Sequence, residues 1–129
     1  MSFEEEFTTW LSNSLDCEIP ENVAAFSFNF FELTQHKKNA KFAIELTGTG
    51  KFDPENEDWV HDKVWEPNQG SLPIPISISG SHWDMGLARV AGRIYSVLKS
   101  DSPCVSRLKS KQGIAISYLG KELEILWPQ

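Results

Sequence analysis

Phe26-Ser27-Phe28-Asn29-Phe30 and, beyond a polar break, Phe42-Ala43-Ile44-Glu45-Leu46 are the stretches that decide the fold of this chain. In each run large apolar side chains alternate with small or polar ones. A period of two places the apolar set on one face of an extended strand. Between the runs, Gln35-His36-Lys37-Lys38-Asn39 supplies a polar turn. The spacing predicts an antiparallel hairpin with one buried face.

A phenylalanine-rich sheet face needs a helix or a second sheet to cover it. The strongest helical pattern lies further on, where Trp83, Leu87, Val90, Ala91, Ile94, Val97 and Leu98 form one stripe and Arg89, Arg93 and Lys99 fall off it. Ser81, with Asp84 three residues on, reads as its N-terminal cap, and Ser100-Asp101-Ser102-Pro103 as its end. A second helix is expected at the N-terminus. Ser2 and Glu5 make a capping box, Phe3, Phe7, Trp10, Leu11 and Leu15 share a face, and Glu4 to Glu6 suit the positive end of the helix dipole.

The remaining elements are strands. Ile74, Ile76 and Ile78 alternate, and Pro75 within the run marks an edge strand. Ile114, Ile116 and Tyr118 alternate, Leu119-Gly120-Lys121 turns, and Leu123, Ile125 and Trp127 alternate again, with Glu122 and Glu124 facing solvent. Trp59 to Trp65 reads as a weaker strand with Trp59, His61, Lys63 and Trp65 on one side, and Thr47-Gly48-Thr49-Gly50 loosens the chain before it. The sum is a single α+β domain over residues 1–129: an antiparallel or mixed sheet packed against one long amphipathic helix, with an N-terminal helix.

Composition narrows the function. The formal net charge is −6 and the pI near 5.0, which argues against nucleic acid or an anionic membrane as the main partner. No apolar run reaches the roughly 20 residues of a membrane span, and the acidic start Met1-Ser2-Phe3-Glu4 lacks a signal-peptide pattern, so a cytoplasmic protein is expected. Cys17 and Cys104 form no CxxC pair; one disulfide is possible, but two free thiols fit that compartment better.

The negative charge is concentrated in one stretch. Between Phe52 and Glu66 lie Asp53, Glu55, Glu57, Asp58, Asp62 and Glu66, with Trp59 and Trp65 among them and Lys63 the lone lysine. Carboxylates favour a basic surface, and tryptophan offers rigid contact area, so these eight residues are the expected partner-binding set. The competing explanation is that the indoles pack inward while the acids serve solubility. Catalytic and metal readings find little. As an EF-hand loop, the stretch has Asp58 where glycine and Val64 where glutamate is required. Asp58, His61 and Asp62 would make a metal or acid–base site, but on a strand His61 and Asp62 point apart. No nucleophile elbow, P-loop or dinucleotide-binding glycine motif occurs, so no cofactor and no enzyme activity are expected. Two basic groups, Lys37, Lys38 and Lys41, and Arg107, Lys109 and Lys111, read as solvated loop charge.

The size, the acidic run with its tryptophans, Leu72-Pro73-Ile74-Pro75 and Trp83-Asp84-Met85-Gly86-Leu87 resemble small bacterial immunity proteins of contact-dependent growth inhibition and polymorphic toxin systems, over about residues 25–100. The resemblance implies a cytoplasmic, non-enzymatic inhibitor of one cognate toxin C-terminal domain, often a basic nuclease, and supplies no catalytic residue. It leaves the oligomeric state and the blocked toxin activity open.

Overall fold

A computed structural model describes residues 2–37, 39–119 and 121–128. The hairpin is there and forms the centre of the molecule. Strand β1 (Ala25–Lys37) pairs antiparallel with β2 (Ala40–Thr49), placing Phe28 opposite Leu46 and Phe30 opposite Ile44. The expected polar turn is shorter than its sequence, because β1 continues to Lys37 and Lys37 pairs with Ala40; Lys38 lies outside the described residues.

Four further strand pairings complete a mixed six-stranded sheet of order β3-β2-β1-β5-β6, with β4 also on β2. Strand β5 (Ile114–Tyr118) runs parallel to β1 and is followed antiparallel by β6 (Lys121–Trp127). The outer edge of β2 is shared. Strand β4 (Leu72–Pro75) pairs with it from Ala40 to Ile44, and β3 (Lys63–Trp65) at Gly48 and Thr49. Glu45 falls in the interval between them.

Helix α1 (Phe3–Ser14) starts as its sequence dictates: the Ser2 hydroxyl accepts from the Glu5 N–H at 3.2 Å. Phe7 and Trp10 bring its apolar face onto Phe28. The long helix α3 (Trp83–Leu98) buries Val90, Ala91, Ile94, Val97 and Leu98 in the same core as Phe26, Phe28 and Phe30. Five fully buried phenylalanines, at about 2 kcal/mol of transfer free energy each, make this face the main source of stability.

Several local expectations are corrected. Ile76 and Ile78 do not extend the edge strand. After Ile76 N–H closes the ladder on Asn39 O, the chain makes a one-turn helix α2 (Ile76–Ser79), ended by Gly80 at φ +73°, a conformation only glycine adopts without strain. Helix α3 is capped by His82 rather than Ser81 and has no side-chain cap; Asp84 accepts from Met85 N–H, and the Ser81 carbonyl accepts from Lys41. Thr47 to Thr49 remain in β2. Thr47 and Thr49 are buried, and a Cβ at Gly48 would crowd the side chains of Trp65 and Val23.

The segment after α3 also gains structure. Pro103–Leu108 is a helix, α4. Arg107 on it donates to the Leu15 and Cys17 carbonyls at the end of α1, and Lys109 donates to Leu98 O at the end of α3 at 2.6 Å. These are cations satisfying the orphan carbonyls of helix C-termini, not solvated loop charge. Cys17 is exposed, Cys104 is buried, and both are free thiols. In the last hairpin β5 alternates as expected, but a register shift in β6 turns Leu126 into the core; Gly120 of its turn lies outside the described residues. Trp83, expected in the core, is 39% exposed and stacks on Tyr118 at 4.6 Å and 9°.

Candidate functional site

The sheet has two unlike faces. Phe26, Phe28 and Phe30 lie under the helices, whereas Ala25, Ser27, Asn29 and Phe31 point the other way, as successive strand residues must. The second face is covered at one end by the segment 52–62. There Phe52 and Trp59 meet edge to face at 4.9 Å and pack with Val60 on Ala25 and Ala115. Gly113 lies directly beneath the Phe52 ring.

Residues 57–61 of this segment form a 3-10 helix, so the strand expected from Trp59 to Trp65 is reduced to β3, Lys63–Trp65. Trp59 and Val60 are adjacent, and both are buried. A strand would send one of them to solvent, whereas a tight helical turn carries both toward the sheet. Asn56 accepts from Asp58 N–H and Asp53 accepts from Glu55 N–H, both at 3.0 Å. Asp62 closes the segment by accepting from Gly50 N–H through its carbonyl, also at 3.0 Å.

The expected partner-binding set is therefore divided. Asp53, Glu55, Glu57 and Asp58 are all exposed and share one short shoulder. Among the described residues none of them has an ion-pair partner. Asp62 is half-buried against Gly50, and Glu66 pairs with Lys63 at 3.3 Å. The indoles separate altogether. Trp59 is 2% exposed on the second face, while Trp65 crosses to the helix-covered face and sits edge-on to Phe26 at 6.1 Å. Trp59, His61, Lys63 and Trp65 thus do not share a side, and Trp59 offers no surface for contact. It pins the acidic shoulder from below. Its indole N–H has no hydrogen-bond partner among the described residues.

Beside the shoulder the second face is open and forms a groove of about 440 Å³. Asn29, Glu45 and Thr47 lie along its floor, Val60, His61 and Lys63 on one wall, and Leu119 on the other. The floor is internally bonded: Ser27 Oγ donates to Asn29 Oδ1 at 3.0 Å, and Asn29 Nδ2 to Thr47 Oγ1 at 3.2 Å. Sequence reasoning missed this groove. The alternation Ser27, Asn29 and Glu45, Thr47 was its signal, since a strand with polar residues on its second face leaves that face uncovered by helices.

Among the described residues no three His, Cys, Asp or Glu side chains come together to hold a metal, and no helix is long and apolar enough to cross a membrane. Comparison with protein-family models, with curated proteins and with solved structures gave no match.

Proposed function

We propose that this chain is a non-enzymatic binding protein of the immunity type, which neutralises a basic toxin domain by docking it on the acidic shoulder. One observation carries the reading: Asp53, Glu55, Glu57 and Asp58 are exposed and unpaired among the described residues, on a backbone fixed by its own side-chain hydrogen bonds and by the buried Trp59. Acids serving solubility alone need no such anchorage. Carboxylates carried on a backbone held in place before binding lose less conformational freedom when a partner arrives, so more of their interaction energy appears as affinity. Concentrated charge of one sign also speeds encounter with a cationic surface, which suits an inhibitor that must outrun an enzyme in the same compartment.

Within the shoulder the roles differ. Asp53 and Asn56 shape the turn, leaving Glu55, Glu57 and Asp58 as the side chains to meet lysine or arginine of the toxin. Glu66, just past β3, contributes at the rim, whereas Trp65 faces the helix-covered core. A genetic experiment tests the proposal. The gene beside this one should encode a large secreted protein with a basic C-terminal domain; that domain should arrest growth, and this chain should restore it. Arrest that persists on co-expression contradicts the reading.

A further inference from the structure

Resting on the same cationic partner, we propose that the groove beside the shoulder is a socket for one arginine side chain of that partner. Glu45 is the anchor. It is exposed on the groove floor, lies on the stretch of β2 left clear between β4 and β3, and has no ion-pair partner among the described residues. Lys63 on the wall is already paired with Glu66, so its charge is offset. The free charge facing the groove is negative, and an anionic ligand would meet Glu45.

The other surfaces select arginine over a simpler cation. Phe31, Val60 and Leu119 give apolar walls for a methylene stem and the flat faces of a guanidinium. Leu119 is 62% exposed, so the wall stands open to an arriving chain. A guanidinium bonds a carboxylate through two parallel N–H groups, which the point charge of lysine does not. Asn29 and Thr47 are bonded to each other and stay fixed. The groove volume falls in the range of about 300–1,000 Å³ typical of small-ligand sites.

The test uses N-acetyl-L-argininamide with the isotopically labelled chain, followed by amide chemical shifts in low-salt buffer. Saturable shifts are expected at residues 29–31, 45–47 and 60–63, with a Kd of about 1 mM. Glu45→Gln should weaken binding about tenfold. The corresponding citrulline amide, uncharged but of like shape, should produce no saturable shift, and Glu55→Lys with Asp58→Lys should leave the Kd within about twofold. Shifts that map to residues 53–58 instead, or unchanged affinity in Glu45→Gln, would overturn the socket. If the groove fails while partner binding still depends on residues 53–58, the socket is lost and the docking shoulder stands.

Discussion

Trp59 packs on one face of the sheet, over Ala25 and Ala115, and Trp65 packs on the other, against Phe26. The two indoles bracket β3 rather than forming a patch. The exposed acids Asp53, Glu55, Glu57 and Asp58 lie just ahead of this clamp, with one ring holding the 3-10 turn that carries the last of them and the other holding the strand that follows. The first prediction concerns that clamp. Trp59→Ala should cost about 3 kcal/mol in denaturant unfolding, the usual range for a buried aromatic. Trp59→Phe should cost only about 1 kcal/mol, since the ring volume is largely kept and an unpartnered buried N–H is removed. Equal losses would mean that the indole does not anchor through packing.

Phe52 and Gly113 are a coupled pair. A Cβ on residue 113 would collide with the Phe52 ring. Gly113→Ala alone should destabilise by about 2 kcal/mol, whereas in a Phe52→Ala background it should add less than about 0.5 kcal/mol. Strict additivity in that double-mutant cycle contradicts the packing described here.

Arg107 ties α4 to the end of α1 through two carbonyls. Its planar fork reaches both Leu15 and Cys17, which a lysine ammonium on a flexible stem does not reproduce. Arg107→Lys is therefore expected to lose about 1 kcal/mol, nearly as much as Arg107→Ala, in chemical denaturation. Full retention of stability in the lysine variant would show that charge alone matters at this position.

Glu4 titrates below the usual carboxylate range. Its own backbone hydrogen bond at the start of α1 is the main cause; burial opposes it, and Arg93, bonded to it at 3.0 Å, adds to the lowering. A carboxyl with a lowered folded-state pKa contributes stability above its unfolded pKa and loses it as pH falls through the folded value. Glu4→Gln should thus be less stable than the natural chain at neutral pH by about 0.5 kcal/mol, as for an exposed pair. The gap should close as pH falls below the usual carboxylate range. A gap that widens with acidification reverses the assigned sign.

The sequence makes the frame legible where one periodicity has one physical meaning. Phe26, Phe28 and Phe30 can share a face only on a strand, and the stripe from Val90 to Leu98 only on a helix. Ser2 caps α1 as its position foretells, its hydroxyl accepting from the Glu5 N–H. Legibility fails where tertiary packing chooses between local options. Trp59 and Val60 read as alternating strand residues until the sheet offers a hollow over Ala25 and Ala115, and burying both then favours a 3-10 turn. Ile76 and Ile78 alternate like strand residues, yet β2 ends its pairing near Asn39 and leaves them no neighbour, so the chain coils into α2. Arg107 and Lys109 look like loop charge because the carbonyls they satisfy lie on α1 and α3, distant in the chain. Of the expected site, the acids of the shoulder were readable from composition; the groove depends on which strand face the helices leave bare.

The most direct measurement of the central claim is calorimetric titration of the purified toxin domain into three proteins: the natural chain, Glu55→Lys with Asp58→Lys, and a control with Glu5→Lys and Glu6→Lys on exposed positions of α1. The shoulder reversal should weaken binding by at least about a hundredfold, as opposing a charge across an interface does, while the control changes it by less than about threefold. Comparable losses in the two reversed proteins would show that net charge, and not the clamped acidic shoulder, attracts the partner.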